Sequence, residues 1–244
     1  IKVFAEKTEH FSITTGGRIS SLSQDEIINV AKKLDGLIVI SEHLKQSFIG
    51  QGVNPSKIKI VNMIVDPSRF IGLTKETVYE RYIAYCGTAS NNKDGVDQLI
   101  KAFAIVAKHI SDVKLYIIGN APSSKDMTHN LKLIDSFNLK ERIIITGIIP
   151  YTQMPQMLKN ADVLALDRPD SIQAQCGFPT KLGEYLLTQN PVVVTKVGDI
   201  PKFLEDGVSA LLSEENNPKE FAQKLEWALT HKNEAIKIGI TGAE

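Results

Sequence analysis

The chain has 244 residues, enough for one large or two modest domains, and 43% of them are hydrophobic, enough to build a core. Its 28 basic and 28 acidic residues give a formal net charge of zero, which argues against nucleic-acid binding over a broad surface and against a polybasic membrane surface. The two cysteines form no spaced pair, so a reducing compartment is expected rather than a disulfide framework or a zinc site. The longest apolar runs have about six residues, short of the ~20 that a membrane-spanning helix needs.

The first part of the chain predicts strands that alternate with helices. Short apolar runs between polar turns predict strands at residues 1–5, 36–40 and 57–61, with a polar loop at 14–17. Ser23 and Glu26 match the capping box of a helix that runs to about residue 34, and Ser41 caps a second helix through about residue 49. The polar segment from Gly72 to Arg81 lacks clear periodicity. We therefore predict two domains, residues 1–71 and 72–244.

The second part predicts a regular α/β domain. Strands are predicted at residues 82–86, 113–118, 142–146, 162–166, 191–195 and 209–212. Helices are predicted at residues 96–109, 131–137, 151–160, 200–205 and 218–231, with another after Phe178. Such alternation implies βαβ units and a parallel sheet covered by helices on both faces. Ligands of such sheets bind at the carboxyl ends of the strands, where the following loops gather.

The most informative stretch runs from Cys176 to Leu187 and predicts a loop followed by a helix start. Pro179 suits the first helical turn, because the N–H that it lacks would be unpaired there. Thr180 and Lys181 lie in that turn, where free N–H groups and the helix dipole favour an anion. Glu184 follows one turn later. We interpret the stretch as a nucleotide site, with phosphate at the helix start and a sugar hydroxyl on Glu184; the alternative is an ordinary amphipathic helix with a solvated glutamate.

Other loops after predicted strands carry candidate ligand-binding residues. The loop from Gly87 to Gly95 has small residues that permit close approach of a ligand, and Lys93 can reach a phosphate or be a solvated charge. Arg168 follows the strand at 162–166 and can hold phosphate bidentately or form a salt bridge at the rim. His10 either faces a cleft or lies on the surface. Neither a Walker A motif nor Gly-x-Gly-x-x-Gly is present, so a P-loop or a dehydrogenase fingerprint is unsupported.

These residues resemble retaining GT-B glycosyltransferases of the large family 4 group, which build surface polysaccharides and related glycoconjugates. The most specific matches are residues 177–185 and 191–194. Further matches are at residues 85–87, 93–96, 99–103, 115–119, 145–147 and 160–163, and residues 39–42 and 65–70 resemble the end of the acceptor domain and its linker. The resemblance implies a Rossmann-like donor domain plus the remnant of a second α/β domain. Since the first part of the acceptor domain has no counterpart, the chain is expected to be truncated at its N-terminus.

The resemblance also implies roles for individual residues. In such enzymes the late glutamate, here Glu184, holds the ribose hydroxyls, and the turn at Gly147 and Ile148 lies near the base. The implied nucleotide-binding set is Gly87, Thr88, Gly147, Ile148, Thr180, Lys181 and Glu184; the donor-sugar set is Cys176, Gly177, Phe178 and Pro179; the catalytic cations are Lys93 and Arg168. Because positive groups stabilise the departing nucleotide diphosphate, neither a metal nor a cofactor is expected.

Two positions depart from the family's pattern. Where the family often has a first glutamate, eight positions before Glu184, this chain has Cys176. Where it often has an arginine after the glycine of the first loop, this chain has Thr88, and Arg168 is the candidate for supplying that charge.

The implied function is retaining transfer of a sugar from a nucleotide-diphosphate sugar to a glycan or lipid-linked acceptor, in polysaccharide or glycoconjugate synthesis. The alternatives are a nucleotide-sugar-binding module without transfer activity and a GT-B-type sugar-nucleotide epimerase. The protein is expected in the cytoplasm or at the cytoplasmic face of a membrane, with any membrane contact through the missing N-terminal part. The 244-residue chain alone is expected to be inactive.

Overall fold

Two parallel sheets organise the computed structural model, which describes residues 1–13, 22–76, 80–121 and 123–244. The smaller sheet has the order β1-β2-β3 and, with its helices, forms what we call the first lobe. Its elements are β1 (Phe4–Lys7), α1 (Gln24–Lys33), β2 (Gly36–Val39), α2 (Glu42–Gly50) and β3 (Ile58–Ile60). The predicted loop at 14–17 lies outside the described residues, as do positions 77–79 of the predicted boundary segment.

The larger sheet and its helices form the second lobe. Its strands are β4 (Arg81–Cys86), β5 (Val113–Ile118), β6 (Ile143–Gly147), β7 (Val163–Leu166), β8 (Val192–Thr195) and β9 (Leu211–Ser213). Its helices are α3 (Asn91–Asp94), α4 (Val96–His109), α5 (Ser124–Ser136), α6 (Met154–Asn160), α7 (Ile172–Cys176), α8 (Thr180–Leu187), α9 (Pro218–Thr230) and α10 (Lys232–Ala243). The strand order is β6-β5-β4-β7-β8-β9, all parallel. The order reverses beside β4, and ligands of doubly wound sheets bind at such a point.

Local sequence signals account for the element boundaries that the sequence predicted well. The Ser23–Glu26 capping box is confirmed, since the Ser23 hydroxyl accepts the Glu26 N–H and the Glu26 carboxylate accepts the Ser23 N–H. The Ser41 hydroxyl caps α2 through the Leu44 N–H. The predicted bounds of α4 are confirmed, because its buried apolar positions form one continuous stripe in the core of the second lobe.

Several predicted boundaries are wrong. β1 covers Phe4–Lys7 and not residues 1–5, and α5 begins at Ser124, well before residue 131. The one-turn helix α3 was predicted to be a loop and α7 was not predicted, because five residues or fewer carry no periodic signal; serine caps start both. Cys176 therefore ends a helix and does not lie in a loop. α10, after His231, was not predicted.

The two lobes touch where α2 meets α7 and the turn after β8. The Ser41 hydroxyl donates to the Cys176 carbonyl oxygen at 2.5 Å. The Glu42 N–H donates to the Asp199 carboxylate at 2.6 Å, and the same carboxylate lies 3.0 Å from His43 Nδ1. No helix within the described residues is long and apolar enough to cross a membrane.

Candidate functional site

A cleft opens at the carboxyl ends of β4, β5 and β6. Its wider part has a volume of about 570 Å³, and its lining residues are Cys86, Gly87, Thr88, Ile118, Gly119, Asn120, Ala121, Ile148, Ile149, Tyr151 and Met154. A second part, of about 340 Å³, shares Cys86, Gly87 and Thr88 and continues to Lys93, Asp94, Arg168, Phe178, Pro179, Thr180, Lys181 and Glu184. Because three residues line both parts, we treat them as one cleft.

Glycine allows the strand ends to converge at the floor of the cleft. Gly87 has φ +142°, and a Cβ built there would lie 2.5 Å from Lys181 Nζ. A Cβ at Gly119, whose φ is +129°, would lie 2.2 Å from the Gly87 carbonyl oxygen. A side chain at either position would close the floor, so the two glycines keep the backbone accessible to a ligand.

A buried ion pair places a cation beside this floor. Lys181 lies in the first turn of α8, and its ammonium pairs with the Asp94 carboxylate and lies 3.0 Å from the Tyr85 hydroxyl. That hydroxyl lies 2.6 Å from the Thr88 carbonyl oxygen and 2.8 Å from Asp94 Oδ2. Burial lowers the pKa of Lys181, and the Asp94 charge opposes that shift. No side chain caps α8, and Thr180 and Lys181 of its first turn line the cleft.

Glu184, one turn further along α8, is held by a residue that sequence reasoning missed. Arg69 Nη1 donates to Glu184 Oε1 at 2.7 Å, and Arg69 Nη2 donates to the Tyr151 carbonyl oxygen at 3.0 Å. The guanidinium carbon lies 3.5 Å from the centre of the Tyr151 ring. Residues 65–70 were already matched to a linker, but a contact across 115 positions leaves no local pattern.

The two predicted catalytic cations line the cleft in different surroundings. Arg168 is only 1% exposed; its Nη2 donates to the Ala174 carbonyl oxygen at 3.1 Å, while its Nε has no partner among the described residues. Burial lowers the pKa of Arg168. Lys93 is more exposed, and its Nζ lies 3.4 Å from Glu9 Oε1 of the first lobe.

The structure places only part of the predicted donor-sugar set in the cleft. Phe178 and Pro179 line the cleft. Cys176 is 5% exposed and packs into the core of the first lobe, with its Sγ 3.6 Å from the Ser47 hydroxyl. Gly177 lies between them, where a Cβ would come 2.8 Å from the Gln173 carbonyl oxygen of α7.

Of the remaining predicted residues, Gly87, Thr88 and Thr180 line the cleft. Ile148 is exposed in its wider part, beside Gly147 at the end of β6. His10 is half-buried in the first lobe, and its Nδ1 lies 2.7 Å from the Ser12 hydroxyl. No group of three or more His, Cys, Asp or Glu side chains in the described ranges is arranged to hold a metal ion.

Comparison with known proteins identifies the family. Residues 80–231 match the family described as glycosyl transferases group 1. The chain belongs to this family. This group 1 glycosyl transferase is 26% identical over 144 residues to alpha-D-kanosaminyltransferase of Streptomyces kanamyceticus, a match to 59% of the chain and 35% of that protein. It is 23% identical over 188 residues to the amylovoran biosynthesis glycosyltransferase AmsK of Erwinia amylovora, a match to 76% of the chain and 45% of that protein. The chain therefore spans less than half the length of these relatives.

Solved structures show the same fold for this group 1 glycosyl transferase. Anabaena HepE in complex with UDP and glucose superposes with a TM-score of 0.81 at 17% identity, covering 99% of this chain and 66% of HepE. A TarM mutant of S. aureus, in complex with fondaparinux, alpha-GlcNAc-glycerol and UDP, superposes with a TM-score of 0.78 at 21% identity, covering 99% of this chain and 46% of TarM. The predicted α/β fold of the GT-B type is thereby confirmed.

Proposed function

We propose that this chain is the donor-nucleotide domain, with the end of the acceptor domain, of a retaining glycosyltransferase. Its donor is a nucleotide-diphosphate sugar and its acceptor a glycan or lipid-linked glycan of polysaccharide or glycoconjugate synthesis, in the cytoplasm or at a membrane's cytoplasmic face. The observation that carries the proposal is α8: its uncapped first turn, with Lys181, and Glu184 one turn later line a single cleft. An anion site and a hydroxyl acceptor at this spacing suit a nucleotide diphosphate.

The proposed ligand follows the cleft from the base to the sugar. The base occupies the wider part, beside Gly147 and Ile148, and the ribose hydroxyls donate to Glu184. The diphosphate approaches the backbone of Gly87 and Thr88 and the first turn of α8, where Thr180 and Lys181 lie. The donor sugar faces Phe178 and Pro179, whereas Cys176 takes part in the contact between the lobes.

In this arrangement the cations assist departure of the nucleotide diphosphate. Negative charge grows on the diphosphate as its bond to the sugar breaks. Lys93, Arg168 and Lys181 are the positive groups that line this part of the cleft. Positive groups placed in advance at that point stabilise the transition state more than the bound donor, which is how such electrostatic assistance accelerates a reaction.

Calorimetry with UDP and with GDP tests the proposal. Wild type is expected to bind one of them, and Glu184→Ala is expected to lose about 1–3 kcal/mol of binding free energy with the ribose contact. Glu226→Ala is the matched control: Glu226 pairs with His109 at 2.7 Å and is 25% exposed, against 24% for Glu184, but it lies outside the cleft. Equal binding by wild type and Glu184→Ala, or no binding by either, contradicts the proposal.

One observation favours a second candidate, a nucleotide-sugar-binding module without transfer activity. The position eight residues before Glu184 holds Cys176, which is buried against the first lobe, so no carboxylate enters the cleft from there. Both candidates predict nucleotide binding. A full-length protein that binds donor yet forms no product with a panel of acceptors would support the second. We propose that the 244-residue chain alone is inactive in either case; product formed by it would contradict this.

A further inference from the structure

The segment that joins the two sheets carries Arg69 to the cleft. Arg69 makes three contacts there: with Glu184 Oε1 at 2.7 Å, with the Tyr151 carbonyl oxygen at 3.0 Å, and with the face of the Tyr151 ring at 3.5 Å. Its side chain is only 14% exposed. The planar guanidinium thus connects the carboxylate on α8 with a side chain that lines the wider part of the cleft.

The residues around Arg69 fix its position independently of these contacts. The Asp66 carboxylate accepts the Ser68 N–H at 2.9 Å and starts a 3₁₀ turn, Pro67–Arg69. Phe70 is buried in the core of the second lobe. Val65 packs on α8, where a Cβ built on Gly183 would lie 3.1 Å from its side chain. Because the backbone is anchored on both sides, only the side chain of Arg69 has to be ordered to hold the guanidinium in place.

Arg69 leaves one Glu184 oxygen available to a ligand. It occupies Oε1, while Oε2 accepts no hydrogen bond from the described residues. It also places a positive charge against a carboxylate that stands in the same cleft as Lys93, Arg168 and Lys181. Without that charge, Glu184 would repel an anion bound near those cations.

We propose that Arg69 is a positioning residue for ribose recognition: it orients Glu184 through Oε1, keeps Oε2 for a ribose hydroxyl, and offsets the repulsion between Glu184 and a diphosphate. This inference rests on the proposed nucleotide-binding function of the cleft. It assigns to the connecting segment a part in the nucleotide site, although Arg69 itself does not touch the ligand.

The test compares binding of UDP and 2′-deoxy-UDP, or the corresponding guanine pair if GDP is the nucleotide bound. Wild type is expected to prefer the ribonucleotide. Arg69→Met is expected to weaken ribonucleotide binding about tenfold and to bring the ratio of the two affinities close to one, because a misaligned Glu184 no longer distinguishes them. Arg69→Lys keeps the charge without the planar fork, so it restores part of the affinity but not the ratio. In Arg69→Met/Glu184→Ala, the ratio of the two affinities should be the same as in Glu184→Ala alone, because Arg69 acts on the ribose only through Glu184.

Arg81→Met is the matched control. Arg81 also bridges two partners, with 2.8 Å contacts to Asp112 and to Asp162, but it lies at the start of β4, at the opposite edge of the sheet from the cleft. Affinity and ratio should both stay at wild-type values. Thermal melts establish that each variant is folded, and Arg69→Lys provides the test if Arg69→Met is not.

The possible failures are distinguishable. If wild type binds neither UDP nor GDP, the proposed function fails and this inference with it. If Glu184→Ala weakens binding while Arg69→Met keeps both affinity and ratio, only the role of Arg69 is overturned. Equal weakening of the two nucleotides by Arg69→Met, with the wild-type ratio intact, overturns the role of Arg69 in ribose recognition, because loss of its charge alone weakens both nucleotides alike and does not distinguish the 2′-hydroxyl.

Discussion

Asp94→Asn tests the buried ion pair beneath the cleft. The Asp94 side chain is 3% exposed and that of Lys181 17%. The substitution retains the shape and one accepting oxygen but leaves the ammonium without its counter-charge, in a place where burial already lowers the Lys181 pKa. Removing one partner of a buried pair costs about 3–5 kcal/mol.

The loss of unfolding free energy in Asp94→Asn has an upper limit, and this limit depends on pH. An unpaired Lys181 can release its proton, which costs about 1.4 kcal/mol for each unit between the pH and its ordinary pKa of about 10.4. The upper limit is therefore about 4.6 kcal/mol at pH 7 and about 1.9 kcal/mol at pH 9. In the variant, the Lys181 pKa is lower in the folded state than in the unfolded state. The unfolded state therefore binds more protons, and the stability of the variant rises with pH.

Urea unfolding at pH 7, 8 and 9 measures this deficit. The single tryptophan, Trp227, lies in α9 and reports on the second lobe. The deficit of Asp94→Asn relative to wild type should fall from about 3–4.6 kcal/mol at pH 7 to at most about 1.9 kcal/mol at pH 9. Asp94→Asn/Lys181→Met should recover part of the stability at pH 7, since it has no unpaired ammonium. A deficit under about 1 kcal/mol at pH 7, or one that does not change with pH, would show that Lys181 does not depend on the Asp94 charge in the folded state.

Three further substitutions test other features. Gly95→Ala should lower the free energy of unfolding by more than the roughly 1–2 kcal/mol that a left-handed backbone costs a non-glycine residue, because its Cβ would lie 1.8 Å from the Asp167 carbonyl oxygen. Gly207→Ala is the control in urea unfolding: Gly207 has φ +74° and open space around it, so this variant measures the backbone cost alone. Burial raises the Asp167 pKa well above 3.8, so above about pH 4 the chain must either take up a proton or bury a charge when it folds. Asp167→Asn removes this cost, so it should raise the Tm at pH 7, and the gain should vanish near pH 4. Cys176→Glu should lower stability by about 3–5 kcal/mol, and Cys176→Ala by less, because a carboxylate would be buried unpaired between the lobes; an unchanged Tm would place the side chain in the cleft instead.

Periodic and capping patterns allowed most of the fold to be predicted. α4 and β5 were predicted with the bounds that the structure has, because each buries a continuous apolar face. The short helices α3 and α7 were missed because they form through single serine caps and contacts with other parts of the chain. A helix of one turn contributes too few hydrogen bonds to be encoded by its own sequence.

The parts of the site that depend on contacts between distant segments of the chain could not be predicted from the sequence. Local sequence placed Lys181 and Glu184 one turn apart at a helix start, and both line the cleft. It could not show that α7 directs Cys176 into the other lobe, since the side of a one-turn helix that is buried depends on its neighbours. Nor could it reveal Arg69, whose partners lie 82 and 115 positions away.

The pairing of positive and negative side chains in the cleft limits how strongly it can attract an anion. Three cationic side chains in or beside it are paired with carboxylates: Lys181 with Asp94, Lys93 with Glu9, and Arg69 with Glu184. Arg168 forms no ion pair among the described residues and is the most deeply buried of the four. The Asp94 charge acts on Arg168 without a direct contact, so an anion that reaches Arg168 would meet a guanidinium that has no carboxylate hydrogen-bonded to it among the described residues. Each of the other three cations already faces a carboxylate, so an anion gains less from any one of them and its affinity should depend on where it is placed. This favours a diphosphate held by its nucleoside over a free anion.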